Sequence, residues 1–502
     1  MQIGEKYLER ALANVILFKA GFGGNNMFFG REEELDQLSG LWRKRVASLV
    51  TCRGRRRIGK SALIEEFSRR SRARFIKIEG KRPQKGWDNE TELQAFAEQL
   101  AAQTGAEATA PSNWLNAFIR LSDKVANDEK TVVLLDEISW LGYFDDTFAA
   151  TLKIAWDNYF KKHDRLILVV CGSVSGWIRE NIIDSGAFLG RRSLDIVLKE
   201  LPLKECAKFW GKAAKRIDSR EIVDVLSITG GVPRYLEEID PALSASENIR
   251  RMCYLPNSIL RVDFDEMFND VITEQPVFTG KVLRTLVDGP KSVTEIAAAL
   301  DSDKSGRISK ALDILAECGL VSADSGLNPE TGARIRERRY RLRDNYSRYY
   351  LKFVEPIAQM IDDGSYKFGS LSMLDGWDAV MGLAFENLVV NNYVQLLPLL
   401  HVGNALITSA APYRKSAVSG RSKGCQVDLL IQAQGMIYIV EIKRCDIGKS
   451  IIAEVDRKVA AISRPAGVSI RTALVFDGEI APTIEANGYF DAIVRFGDLL
   501  GI

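Results

Sequence analysis

The sequence predicts a multidomain α/β protein. Three observations lead there. The chain has 502 residues, several times a typical domain of about 150. Up to about residue 200, short charge-free apolar runs alternate with stretches of helical periodicity. That is the pattern of a parallel sheet covered by helices. The pattern then shifts near 201, 275 and 375. With 46% apolar and 27% charged residues, a mainly disordered or fibrous chain is excluded.

Taken in order, Glu5–Ala20 has helical periodicity and Gly21–Asn26 is a flexible break. Glu5 and Glu9, with no sustained apolar core after them, argue against a signal peptide. No stretch approaches the about 18 uninterrupted apolar residues of a membrane span. A soluble, cytoplasmic protein with no membrane partner is expected. The seven cysteines are scattered with no CxxC pair, which suits reduced thiols. His163 and His401 are the only histidines, which disfavours His-rich metal sites. Val46–Cys52, Val132–Leu135 and Leu166–Cys171 read as buried strands. From 201 the chain is helical, broken by Thr229–Leu236. Lys281–Asp288, Val293–Leu300 and Ile308–Glu317 read as three short helices. Leu320–Ala323, a turn at Gly326–Gly332 and Arg334–Leu342 follow as a two-stranded wing, the plan of a winged helix. The last part has a long helix near 376–397, strands at Gln426–Gln432 and Met436–Lys443, a helix near 450–463 and a strand at Arg471–Phe476. The expected divisions are 1–200, 201–270, 271–350, a linker at 351–374, and 375–502.

Gly54-Arg55-Arg56-Arg57-Ile58-Gly59-Lys60-Ser61 fits G-x-x-x-x-G-K-[ST], between an expected strand and an expected helix. Its glycines, Gly54 and Gly59, let backbone N–H groups wrap phosphates, and the helix N-terminus adds partial positive charge. Arg57 lies within this wrapping loop. Lys60 can reach the β and γ phosphates of ATP, and the Ser61 hydroxyl can bind Mg2+. Asp136-Glu137 ends the strand Thr131–Leu135. Asp136 is expected to hold Mg2+ through water, and Glu137 to act as general base on the attacking water.

The stretch Phe29-Gly30-Arg31-Glu32-Glu33-Glu34-Leu35, the loop 54–61 and Leu134-Leu135-Asp136-Glu137 together resemble the archaeal-type ATPase family, within the AAA+/STAND group of P-loop proteins. The resemblance covers about 27–240. It implies a P-loop AAA+-type parallel sheet with a helical lid at 201–270. Cys171-Gly172-Ser173 resembles the strand end where such ATPases place a polar γ-phosphate sensor, which would be Ser173. Gly190-Arg191-Arg192 resembles the downstream Gly-Arg element; Arg191 or Arg192 could then be a finger on the ATP of a neighbouring subunit, implying a possible homo-oligomer. The other reading is a surface Arg pair in ordinary salt bridges. Gly230-Gly231-Val232-Pro233-Arg234-Tyr235-Leu236 resembles the lid motif near the nucleotide, or is simply a Gly-Pro turn.

The net charge of +2 hides local basic clusters. Residues 53–85 hold thirteen Lys/Arg against Glu65, Glu66 and Glu79. Lys304, Arg307 and Lys310 flank or line the candidate recognition helix, and the wing carries Arg334, Arg336, Arg338, Arg339, Arg341 and Arg343. Such arginines can track DNA phosphates; a purely structural winged helix is the alternative.

Toward the C-terminus, Glu386 sits on the expected long helix, Asp428 on one strand, and Glu441-Ile442-Lys443 at the end of the next. Alternation puts Glu441 and Lys443 on one face, and a hairpin partner brings Asp428 beside them at one sheet edge. Hard carboxylate oxygens suit Mg2+ or Mn2+, which would activate water against a phosphodiester. Twelve residues separate Asp428 from Glu441. This ordered set resembles the PD-(D/E)xK nuclease superfamily, which implies a C-terminal α/β restriction-endonuclease-like domain over 375–502. Val427 stands where that pattern usually has Pro. The function expected is an ATP-hydrolysing, DNA-acting protein with a Mg/Mn-dependent nuclease under ATP control, in defence or mobile-element control. The alternative is a nucleotide-dependent STAND-like switch whose C-terminal domain is catalytically inactive and binds DNA or protein.

Overall fold

The computed structural model describes residues 28–173, 175–272, 275–302, 305–403, 405–415 and 424–502. The expected helix Glu5–Ala20, the break after it and Lys304 lie outside them. Strands β1 (Ser48–Arg53), β2 (Arg74–Glu79), β3 (Thr131–Asp136), β4 (Leu166–Gly172) and β5 (Arg192–Val197) form a parallel sheet in the order β2-β3-β4-β1-β5. Every residue of β3 and β4 is buried. Their side chains alternate between two cores, as a sheet covered on both faces requires. Val132, Leu134, Ile167 and Val169 pack with Leu63, Ile64 and Phe67 of helix Lys60–Ser71. Val133, Leu135, Leu168 and Val170 face Phe96, Trp114, Phe118 and Leu152. Because β4 lies between β1 and β3, the loop after β1 and the acids after β3 flank the end of β4. Ligands bind beyond such carboxyl ends in open α/β sheets.

The next segment is helical, including Ser219–Thr229, Ala245–Cys253 and Ile259–Val271. Helices Pro276–Thr285, Val293–Ala299 and Ser305–Glu317 follow, then the antiparallel pair β6 (Val321–Asp324) and β7 (Arg339–Leu342). Ser292 and Glu295 form a capping box that starts the second of these helices. The strand β7 covers only the last part of the expected Arg334–Leu342. Residues 351–374, read from sequence as a linker, carry the helical turns Tyr350–Val354 and Ala358–Asp362 and bury Phe353, Val354, Ile361 and Leu371. One hydrophobic core runs from Leu201 to Leu500 with no break at 270, 350 or 374.

The C-terminal sheet consists of β8 (Ile407–Lys415), β9 (Cys425–Ala433), β10 (Met436–Lys443), β11 (Ser469–Phe476) and β12 (Ala492–Arg495), in the order β12-β11-β10-β9-β8. The β8–β9 and β9–β10 pairs are antiparallel; β10–β11 and β11–β12 are parallel. Leu429, Ile431, Val440 and Ile442 share a core with Val380, Phe385 and Leu388 of helix Trp377–Asn391. Leu430, Ile439 and Phe476 share another with Ile451 and Val455 of helix Ser450–Ala461. Among the described residues no helix is long and apolar enough to cross a membrane.

Candidate functional site

Gly54 leaves β1 with φ 151, and a Cβ there would lie 2.5 Å from the Leu198 carbonyl oxygen. No side chain fits. Arg57 and Gly59 also have positive φ, 70 and 89, so the chain curls before the helix that opens at Lys60. Arg31, buried, donates to Ile58 O at 3.2 Å and Lys199 O at 2.7 Å, bracing the loop from outside. Lys60 Nζ donates to Gly54 O and Arg55 O, each at 3.2 Å. Ser61 Oγ donates to Asp136 Oδ2 at 2.5 Å. A hydroxyl and a carboxylate converging this closely suit Mg2+, which prefers hard oxygens.

Glu137 has φ 46 and ψ 52, a left-handed conformation unusual for Glu. The bend turns its carboxylate toward the end of β4, where it accepts from Ser173 N at 3.1 Å and Ser173 Oγ at 2.8 Å. The structure therefore gathers Gly54, Gly59, Lys60, Ser61, Asp136, Glu137 and Ser173 at one end of the sheet. Sequence reasoning missed Lys77. Its Nζ lies 3.4 Å from Asp136 Oδ2 and 3.0 Å from Glu79. Burial opposes its charge, but these carboxylates outweigh burial and raise its pKa. The signal was present: β2 alternates, placing Lys77 beside Leu134 of β3.

The motif after helix Ser219–Thr229 closes over the loop. Pro233 Cγ lies 3.8 Å from where a Gly59 Cβ would be. Leu201 N donates to Gly231 O at 2.7 Å, and a Cβ on Gly231 would lie 2.4 Å from Leu201 O. Gly231→Ala is expected to destabilise the protein by about 1–3 kcal/mol through this overlap, read from the urea midpoint; an unchanged midpoint would contradict the tight approach.

Arg191 and Arg192 are not brought to the loop of their own chain. Strand β5 runs beside β1 from Arg192↔Leu49 to Val197↔Arg53, so both arginines enter at the sheet end opposite the phosphate loop. Arg191 forms a bidentate pair with Asp157 at 2.8 and 3.0 Å, and Arg192 reaches Ile183 O at 3.5 Å.

In the C-terminal sheet, Asp428 Oδ2 accepts from Ile442 N at 2.9 Å, which fixes it next to Glu441. Glu441 is fully buried. Its Oε1 lies 2.7 Å from Lys443 Nζ and its Oε2 2.5 Å from Lys458 Nζ. Glu454 completes the cluster, 3.1 Å from Lys443 and 3.5 Å from Lys458. Lys458 and Glu454, spaced i,i+4 on helix Ser450–Ala461, were missed by sequence reasoning; that spacing on the helix after the lysine strand was the available signal. The cluster does not sit at a sheet edge as expected: β10 is the central strand, flanked by β9 and β11. Glu386 arrives on helix Trp377–Asn391, which packs on the sheet's other face.

Burial, assisted by the charge of Glu386, pushes Asp428 up to about 6. Burial, then the charge of Asp428, pushes Glu441 up to about 7. Burial also raises Glu386. Among the described residues no three His, Cys, Asp or Glu side chains are grouped to hold a metal ion. The Asp428–Glu441 oxygen pair has the right chemistry for Mg2+ or Mn2+, but ammonium groups occupy both Glu441 oxygens. The sign of the pH effect follows from raised carboxyl pKa values. The folded chain holds extra protons, so this stabilisation is full below the ordinary carboxyl range near 4 and is lost as pH rises through 6 to 7. Asp428→Asn with Glu441→Gln is expected to flatten the fall in urea midpoint between pH 4 and 8. Parallel pH profiles for both proteins would refute it.

Three of the six wing arginines are tied into the molecule and three are exposed. Arg341, buried, pairs with Asp324 and bonds Asn387. Arg339 pairs with Glu295 at 2.8 Å and Arg343 with Glu200 at 2.7 Å. Arg334, Arg336 and Arg338 remain exposed. The turn leans on the C-terminal sheet, where Gln432 Nε2 donates to Leu327 O at 2.6 Å. Arg307 lies 3.9 Å over the Phe278 ring and donates to Gln275. Lys310 sits on the same helix, exposed.

A parallel sheet, a glycine-bounded loop opening a helix after β1, and an acid pair ending β3, two strands away, define a P-loop ATP-binding protein. Residues 28–239 match the family of ATPase domains found predominantly in Archaea. An uncharacterised protein of Methanocaldococcus jannaschii is 22% identical over 374 residues, covering 74% of this chain and 78% of that protein. An uncharacterised ATP-binding protein of the same organism is 46% identical over 41 residues, 8% of this chain and 70% of its own. Among solved structures, the Walker-type ATPase of Pyrococcus abyssi is 16% identical, with a TM-score of 0.49 over 65% of this chain and 96% of that one. The ORC2 protein of Aeropyrum pernix is 13% identical, with a TM-score of 0.46 over 69% and 98%.

Proposed function

We propose that this ATPase acts on DNA and that its C-terminal domain, of restriction-endonuclease-like fold, cleaves phosphodiesters with Mg2+ or Mn2+ under ATP control, in defence or mobile-element control. The carrying observation is the pair of buried, adjacent carboxylates Asp428 and Glu441, held high in pKa beside Lys443. In the nucleotide site, Lys60 neutralises phosphate charge and Ser61 with Asp136 would hold Mg2+. Glu137, oriented by Ser173, takes the proton of the attacking water. Arg191 or Arg192 would serve the ATP of a neighbouring copy in a homo-oligomer; the other reading, an ordinary salt bridge, is favoured for Arg191 by its bidentate pair with Asp157. In the C-terminal site, Asp428 and Glu441 would hold the metal, which supplies charge stabilisation at the scissile phosphate. Glu386 adds negative charge to that site, and Lys443 orients or deprotonates the water. Three helices and the β6–β7 pair, read as a winged helix, offer Arg334, Arg336 and Arg338 to DNA phosphates.

Control by ATP is supported by a run of polar contacts between the sites. Arg55 of the phosphate loop pairs with Asp344. The next residue, Asn345, donates to Ala384 O at 3.0 Å and accepts from Asn387 at 2.9 Å. Both partners lie on the helix that carries Glu386.

A second reading is a nucleotide-dependent switch with an inactive C-terminal domain that binds DNA or protein. It is favoured by Lys443 and Lys458 both neutralising Glu441. Plasmid nicking with Mg2+ or Mn2+, with and without ATP, separates the two. The nuclease reading requires cleavage that disappears in Asp428→Ala and Glu441→Ala. Intact single- and double-stranded DNA under every condition favours the switch.

A further inference from the structure

We infer that Asp263 and Asp344, which lie outside the 28–239 ATPase domain, are positioning residues for ATP hydrolysis. They would act by holding the phosphate loop through its own arginines. The inference rests on the loop's being an ATP site and is independent of the nuclease reading.

Three consecutive arginines follow Gly54, a dense charge for a loop that must curl around a ligand. Two of them are drawn to the far side. Arg55 is 5% exposed. It pairs with Asp344, lies 3.5 Å from Tyr235 Oη and contacts Met267 Sδ at 3.2 Å. Burial opposes the Arg55 charge, yet Asp344 together with Tyr235, Glu200 and Asp263 outweighs it and raises the Arg55 pKa, so the guanidinium stays charged. Arg57 Nε donates to Asp263 Oδ1 at 2.5 Å, and its Nη2 lies 3.3 Å from Glu266. The other Asp263 oxygen accepts from Tyr235 Oη. Arg55, Tyr235, Asp263 and Arg57 thus form one chain of contacts beneath the loop.

Both carboxylates are themselves fixed. Asp263 is fully buried on helix Ile259–Val271. Asp344 is 3% exposed and caps helix Asn345–Tyr349, where Oδ2 accepts from Ser347 N at 2.9 Å and Ser347 Oγ at 2.6 Å. Neither is an adaptable surface partner. Arg57 has a left-handed backbone, so its side-chain anchor fixes the turn that presents Gly59 and Lys60. Neutralising Asp344 would leave the buried Arg55 guanidinium without its charged partner, and neutralising Asp263 would leave the half-buried Arg57 with Glu266 alone; in either case the loop would shift to solvate the arginine. A displacement of about 1 Å at a phosphate cradle can cost about a hundred-fold in rate.

The test uses the full chain with Asp263→Asn, Asp344→Asn, Arg55→Gln, Tyr235→Phe and the pair Arg55→Gln plus Asp344→Asn. Steady-state ATP turnover and binding of a fluorescent ATP analogue are read beside far-UV circular dichroism. Folded Asp344→Asn and Asp263→Asn are expected to lose about a hundred-fold in kcat, with a smaller rise in KM. The pair is expected to be no slower than Arg55→Gln alone, the non-additivity of partners acting through one contact. A purely structural role would instead lower the melting temperature and leave the kcat of the folded fraction unchanged. Should Asp344→Asn not fold, Tyr235→Phe decides, because it removes one hydroxyl and is expected to lower kcat several-fold. Unchanged kcat in folded variants, or additive losses in the pair, overturns the inference. Absence of ATP binding by the wild-type chain would instead defeat the ATP-site reading itself.

Discussion

Glu137→Gln is expected to reduce ATP turnover by about 10²–10⁴-fold, the range of a lost general base, while ATP binding changes little. Gln is nearly isosteric and keeps an oxygen to accept from Ser173 N and Oγ, which hold the Glu137 side chain at 3.1 and 2.8 Å. The left-handed backbone that aims the side chain is unaltered. What disappears is the capacity to take a proton. Binding should survive because the phosphate contacts are expected from Gly54, Gly59 and Lys60, in the loop after β1 and the helix it opens. Single-turnover hydrolysis alongside equilibrium binding of an ATP analogue measures both. Comparable turnover in Glu137→Gln would remove Glu137 from the base role and leave Ser173 holding a structural carboxylate.

On the proposed nuclease reading, Asp428→Asn and Glu441→Gln, made separately, are each expected to lower metal-dependent DNA cleavage by at least about a hundred-fold, as loss of a preorganised charged group at a reacting phosphate does. The two should differ in one respect. Glu441 bears the ammonium groups of Lys443 and Lys458, so Glu441→Gln leaves two cations facing a neutral amide. Its thermal midpoint should fall further than that of Asp428→Asn, whose main partner is the Ile442 N–H. Cleavage that persists in both variants would move the reaction elsewhere. The reverse order of midpoints would show that Asp428, rather than Glu441, carries the charge balance of the cluster.

The nucleotide site was legible because its chemistry is local. Gly54 to Ser61 lie within eight consecutive positions, and the apolar strands at 132–135 and 166–171 announce themselves by being charge-free. Asp428, Glu441 and Lys443 were legible through strand alternation. Other features depend on long-range packing. Strand β8, half-buried and carrying Ser, Ala and Pro, has no apolar periodicity to read. Lys77, Lys458 and Asp344 are ordinary charges until the fold sets them beside Asp136, Glu441 and Arg55. The wing arginines divide for a related reason: composition gives their number, but only tertiary structure shows Arg339, Arg341 and Arg343 turned inward onto carboxylates and Arg334, Arg336 and Arg338 exposed. The sheet-edge placement failed because β11 and β12 add beyond β10, a topology that the hairpin alone does not specify.

The unbroken core from Leu201 to Leu500 bears on how this molecule can be taken apart. A fragment beginning near 375 would carry helix Trp377–Asn391 with Val380, Phe385 and Leu388 stripped of their upstream neighbours, and one ending near 270 would leave Phe264 and Met267 bare. Neither cut falls at a seam. Heating should melt everything after residue 201 in one cooperative step, and a protease should find few productive nicks there until that step occurs. Exchange of the C-terminal domain between related proteins would then succeed only when the helices before it travel along.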